Sequence, residues 1–176
     1  MSGNFYFCCD KMRKKLLFFC LFGTLLIGFA TNSCKKESQD YLQTLLTDKQ
    51  WQLASVVVFN YVGNTQNPTD TLNTTCNLNQ TLKFNSDNTC TYTNFDCLNQ
   101  TATGHWSFSA DKLYLMSDMK LKDTTAAGSS IPFQTAQILN LGQYSLILQT
   151  GYLNTYYSPT QVRVIAQYGF IRVNTQ

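Results

Sequence analysis

Residues that carry chemistry are scarce in this sequence. It has one histidine, His105, and charged side chains make up only 13% of the chain. A lone imidazole lacks the orienting and nucleophilic partners that acid–base or triad catalysis requires, and if Trp106 faces inward, alternation turns His105 out to solvent. A histidine-based metal site would have to borrow ligands from a few cysteines. Asp70, Asp87, Asp111 and Asp123 all fall in turn or loop contexts, where aspartate is a turn former, and no carboxylate pair announces glycosidase chemistry. No Gly-x-Gly-x-x-Gly or Walker pattern occurs, which removes the usual phosphate-binding loops. There is no internal repeat and no low-complexity tract. The expectation is a protein that is not an enzyme and holds neither cofactor nor metal.

Long apolar runs are also lacking. The longest, Leu16 to Ala30, falls short of the roughly 20 residues a membrane-spanning helix needs, and Gly23 and Gly28 loosen it further. Its flanks give it another meaning. Arg13, Lys14 and Lys15 precede it and Thr31-Asn32-Ser33-Cys34 follows, which is the order of an export signal peptide. Residues 1 to 11 add nothing a signal needs, so Met12 is the expected start. The junction Ser33-Cys34 resembles a lipobox, and with Lys35-Lys36 behind it is similar to those of Bacteroidetes lipoproteins. That resemblance implies that residues 1 to 33 are removed and that Cys34 is acylated and becomes the new N-terminus. Residues 34 to 40 would then be a lipidated tether, and the protein would sit in the cell envelope, at the outer membrane facing the periplasm or the cell surface. Several acyl chains on one residue hold a protein where a single chain would not.

Removing the leader changes the charge. Lys11, Arg13, Lys14 and Lys15 leave with it, as does Asp10, so 13 basic residues become nine and 10 acidic residues become nine. A near-neutral domain gives no electrostatic case for nucleic acid or for anionic lipid. Its many Asn, Thr, Gln and Tyr residues fit an exported β protein rather than a disordered tail.

After the tether, Ser38 or Asp40 is placed to cap a brief helix through Leu46, with Tyr41, Leu42, Leu45 and Leu46 on one face. From Trp51 the helical period disappears. Short β-rich runs at 51–60, 78–84, 89–95, 102–108, 112–117, 132–139, 144–150 and 161–173 alternate with Asn, Asp, Gly and Ser clusters. Eight such strands with tight turns predict an all-β fold, an antiparallel barrel or sandwich, over residues 41 to 176. Two longer loops interrupt them, Tyr61 to Thr75 and Asp118 to Ile131. Alternation puts Trp106 and Phe108 on one face of a hairpin that turns at Ser109-Ala110-Asp111 and returns through Leu113 and Leu115. A second hairpin, from Ile138-Leu139 through Gly142-Gln143 to Leu146-Ile147-Leu148, is apolar enough to expect cover on both faces.

Several of these segments together resemble the lipocalin-like lipoproteins of Bacteroidetes, across roughly residues 42 to 173. They are Leu46 and Trp51 at the first strand, Phe84-Asn85-Ser86-Asp87 before a hairpin turn, Gly104-His105-Trp106, and the leucine-rich pair at 138 to 148. The resemblance implies an eight-stranded barrel with a short N-terminal helix. It also implies an aromatic ring at one barrel end lying under an arginine of the last strand. Trp51 is the ring, with Arg163 as the expected partner and Arg172 as the alternate.

Cys8, Cys9 and Cys20 leave with the leader and Cys34 carries lipid, so Cys76, Cys90 and Cys97 remain in an oxidising compartment. A turn centred on Ser86-Asp87 sets Phe84 opposite Thr89 and Cys76 opposite Cys97. Cys90 and Cys97 would lie about 23 Å apart along one strand, beyond disulfide reach. The expected bond is Cys76 to Cys97, with Cys90 buried and reduced.

A barrel of this size can hold one small ligand. The first functional expectation is therefore a non-catalytic module that binds a small hydrophobic or glycan ligand, with Tyr92, Trp106, Phe108 and Tyr156 as lining candidates. Its rival is a structural or interaction module with a filled barrel, whose loops meet an envelope protein. Bulky inward candidates, Trp51, Leu82, Phe84, Tyr92, Trp106, Phe108 and Leu113, leave little room. Asp70-Thr71-Leu72 and Asp123-Thr124-Thr125 resemble the acceptor motif of Bacteroidetes O-glycosylation, which would make Thr71 and Thr124 modification sites.

Overall fold

Trp51 to Val62 is rich in β-branched and aromatic residues and forms the longest strand among the described residues. A computed structural model describes residues 41–72 and 75–173. The leader with Met12, the acylation site Cys34, the tether 34–40 and the capping candidates Ser38 and Asp40 lie outside the described residues. Residues 41–47 are helical. Leu46 is fully buried, whereas Tyr41 is exposed and does not share the packed face expected of it.

The strands are β1 (Trp51–Val62), β2 (Thr65–Gln66), β3 (Asp70–Leu72), β4 (Thr81–Phe84), β5 (Thr89–Thr93) and β6 (Thr101–Phe108). They continue as β7 (Tyr114–Ser117), β8 (Leu121–Lys122), β9 (Ser129–Ser130), β10 (Ala136–Leu141), β11 (Ser145–Gly151) and β12 (Val162–Arg172). Among the described residues, β1, β4, β5, β6, β7, β10, β11 and β12 form an antiparallel meander. It closes into a barrel where β12 returns to β1, from Trp51 opposite Arg172 to Val62 opposite Val162. Each of the eight expected runs holds one of these strands. The four remaining short strands lie within or just before the two long loops: β2 and β3 fold back on β1, and β8 pairs with β9.

The meander gives the barrel two unlike ends. At one, which we call the helix end, lie residues 41–47, the start of β1, the finish of β12 and three short turns, 85–88, 109–113 and 142–144. At the other, the loop end, lie the longer connections, including 94–100, 118–135 and 152–161.

Local turn chemistry sets the short hairpins. Asn85 N–H bonds the Thr89 carbonyl at 2.9 Å, Asn88 takes a left-handed φ of 67°, and the Asp87 carboxylate accepts from Thr89 N–H. That is a three-residue loop of the type-I-plus-left-handed kind. It places Phe84 opposite Cys90, one residue away from the expected pairing with Thr89. The Cys76–Cys97 bond forms as expected, with a Cα separation of 5.6 Å, but not as a pair across a strand ladder. β4 begins only at Thr81 and Cys97 belongs to the 3-10 turn Phe95–Cys97, so the bridge joins two connections at the loop end. Cys90 is free and buried.

Two further expectations need correction. Leu113 is exposed, because Lys112 adopts a φ of 62° and β7 starts only at Tyr114, so the leucine belongs to the turn rather than to the pleat. The 138–148 hairpin is covered on one face only. Its register breaks between Ile138 and Asn140, and the bulged Leu139 is left facing solvent while Leu146 and Leu148 are buried.

Candidate functional site

The barrel interior is the natural place to look for a binding site, and it is filled. Trp51, Leu82, Phe84, Tyr92, Leu115, Leu148 and Phe170 project into it from the strands and are buried. The loop end is stoppered by connections. Phe95 arrives from the 3-10 turn, and Met119, Leu121 and Phe133 from the segment between β7 and β10, all joining the same core. Gly104 makes room for that segment: a Cβ there would sit 2.7 Å from the Met119 Cα. Tyr92 and Phe133 stack at 6.1 Å, Phe95 meets Tyr92 edge-on at 5.2 Å, and Tyr168 meets Phe133 at 5.0 Å. Such ring contacts stabilise beyond their buried area. Burial pushes the Tyr92 phenol well above its ordinary range and that of Tyr168 up to about 12, where Asp96 adds to the shift. The Tyr92 hydroxyl is buried without a hydrogen-bond partner among the described residues.

Of the four lining candidates, Tyr92, Trp106 and Phe108 belong to the packed core and Tyr156 stands apart from it. Tyr92 lies inside this ring cluster. Trp106 is buried against Phe84 at 5.5 Å and Phe108 at 5.3 Å, with its indole N–H donated to the Asn85 carbonyl. Phe108 is half-buried near the helix end under the Lys112 ammonium, and Tyr156 stands almost fully exposed in the 152–161 loop. The plugging residues Phe95, Met119, Leu121 and Phe133 escaped the sequence reading. Their signal was the apolar spacing of Met119 and Leu121, and of Ile131 and Phe133, inside a segment otherwise made mostly of Lys, Asp, Thr, Ala and Ser.

Outside the barrel, an open groove of about 540 Å³ lies beside β6 and β7, and another of about 580 Å³ over β5 and β6 shares His105 and Asp118 with it. His105 is exposed there, as expected, and its Nδ1 lies 3.1 Å from Asp118 Oδ2. The other Asp118 oxygen accepts the His105 backbone N–H, and these bonds hold the Asp118 carboxyl below its usual range. Ser107, Met116 and Gln134 are among the other residues of the first groove's wall. Among the described residues, no group of three His, Cys, Asp or Glu side chains is placed to hold a metal ion, and no helix is long and apolar enough to cross a membrane.

The arginine over Trp51 is Arg172, not Arg163. Its guanidinium lies 5.0 Å from the ring, donates to the Leu45 carbonyl and meets the Asp48 carboxylate at 3.3 Å, while the Trp51 indole N–H reaches the Leu46 carbonyl at 2.9 Å. Antiparallel pairing decides this, because the early residues of β12 face the late residues of β1. Arg163 therefore sits opposite Tyr61 at the loop end, stacked between Tyr61 at 4.8 Å and Tyr157 at 3.6 Å, and donates to the Gly63 carbonyl.

Thr71 is exposed on β3, where it pairs with Val57. Thr124 directs both its backbone N–H and its hydroxyl at the Asp96 carboxylate, each at 2.7 Å. A comparison with protein-family models finds no match to this chain, and one with curated proteins finds none either.

Proposed function

We propose that this is a non-catalytic envelope lipoprotein, anchored through acyl groups on Cys34, whose barrel is a filled scaffold that meets envelope proteins through its loops. The observation that carries the reading is the stoppered interior: Phe95, Met119, Leu121 and Phe133 occupy the volume that a lipocalin-type ligand would need. A small hydrophobic or glycan ligand is the second reading. On its side stands the Tyr92 hydroxyl, a buried donor without a protein partner among the described residues. The lipocalin-like kinship rests on the motif order in the sequence and on the Trp51–Arg172 stack. Envelope location rests on the leader and the Ser33-Cys34 junction. Of the two Asp-Thr motifs, Thr71 is the better presented acceptor, because the Thr124 hydroxyl is held by Asp96.

Native mass spectrometry of the protein released from its own envelope tests these points together. The expected mass is that of the chain from Cys34 onward plus acyl groups, with no stoichiometric small molecule, and with any sugar mapping to Thr71. A retained small ligand would overturn the filled-scaffold reading, and an unacylated Cys34 would overturn the anchor.

A further inference from the structure

The helix end of the barrel is tipped with apolar side chains that nothing in the fold requires to be there. Tyr144, at the tip of the β10–β11 turn, is 67% exposed, and Leu113, at the tip of the β6–β7 turn, is 55% exposed. These turns are neighbours, because β7 and β10 pair. Ile171, 50% exposed, lies beside the β10–β11 turn, since β12 pairs with β11 through Ile171 and Ser145. The bulge that turns Leu139 outward adds a fourth apolar group on the same hairpin. The basic Lys49, Lys112 and Arg172 stand at this end with the acidic Asp48, Asp87 and Asp111, so charge nearly cancels and apolar contact is the larger driving term.

Residues 41–47, which follow the expected tether in sequence, lie at the same end. Arg172 and Trp51 bind the carbonyls of Leu45 and Leu46, which fixes the short helix there. Cys34 to Asp40 is seven residues. Even fully extended these reach about 25 Å, so an acylated Cys34 keeps this end near the bilayer. Tyrosine suits the headgroup region, where its ring is covered and its hydroxyl stays wet.

We infer that the helix end is a membrane-docking face, seating Tyr144, Leu113 and Ile171 in the interface of the bilayer that anchors the chain and turning the loop end away from it. The inference rests on the anchor reading above, so its test supplies the tether chemically. The chain from Cys34 onward, whose core lies wholly within Leu42–Gln176, is coupled through the Cys34 thiol to a maleimide-bearing phospholipid in phosphatidylcholine vesicles. Hydroxyl-radical footprinting then compares tyrosine oxidation with that of the uncoupled domain mixed with the same vesicles. Tyr144 should lose most of its reactivity on coupling, falling toward the level of buried Tyr92, while Tyr156, 90% exposed at the loop end, keeps its rate. Unchanged oxidation of Tyr144, or protection of Tyr156 instead, would overturn the docking face. Neither result depends on whether cells acylate Cys34.

Discussion

At the helix end an arginine covers an aromatic ring and is neutralised by a carboxylate: Arg172 over Trp51, beside Asp48. At the loop end Arg163 lies between two tyrosine rings with no carboxylate in reach among the described residues. The first arrangement is part of the core, since Trp51 is fully buried and joins the helix to both closing strands. The second is fastened to the outside of a β1–β12 ribbon, where the turn after β1 meets the β11–β12 loop so closely that a Cβ on Gly63 would strike the Pro159 carbonyl. Two similar stacks therefore do different jobs: one closes the barrel, the other pins a loop. A guanidinium over a ring is informative only together with what its remaining donors reach.

That contrast can be broken by mutation. The largest loss is expected from Trp51→Ala, about 3 to 5 kcal/mol for truncating a buried aromatic, or roughly 10 to 20 °C in melting temperature. A fall of only a degree or two would place Trp51 outside the core. Replacing both Cys76 and Cys97 with Ser releases a loop with a sequence separation of 21 and should cost about 3 kcal/mol at the loop end. Denaturant titration of the double variant checks this, and an unchanged midpoint would mean that the plug holds without the bridge.

The arginines themselves should rank in the same order. Arg172→Met strands the Asp48 carboxylate and the Leu45 carbonyl, at about 1.5 to 3 kcal/mol, whereas Arg163→Met loses one carbonyl bond and its ring contacts, at about 1 kcal/mol. Equal losses in thermal melts would erase the difference between the ends.

Alkaline pH probes the ring cluster behind the loop end. Burial raises Tyr168 from its ordinary 10.0 to about 12, so between these values the folded chain holds a proton that the unfolded chain has released. The stability this group contributes is complete below 10 and is lost as pH rises toward 12, and Tyr92 shifts in the same direction. Denaturation midpoints should therefore fall steeply across that window, and Tyr168→Phe should flatten the slope. The smallest effect is expected for Tyr156→Ser, within about 0.5 kcal/mol, because that side chain is almost fully exposed.

Much of this architecture was legible in the sequence. Period-two alternation between turn-forming clusters located all eight barrel strands, because it reflects a local fact, a strand with one wet face and one dry face. Inward residues such as Phe84, Tyr92 and Trp106 followed from it. Leu113 did not, since the left-handed Lys112 moves it out of the pleat and alternation is blind to a turn's handedness.

The long loops and the ends were decided only by tertiary structure. The sequence found the right disulfide partners through a register that is one residue off, because two connections approach in space where no ladder runs. It found the stack on Trp51 but assigned it first to Arg163, although the direction of β12 puts Arg172 there. It marked 118–131 as a loop without seeing that Met119 and Leu121, with Phe133 just beyond, stopper the barrel. Periodicity and turn chemistry act over a few residues, so the chain alone determines that strands exist and which face of each is apolar. What fills the space between them depends on which distant segments meet once the barrel has closed, and only the closed structure sets that.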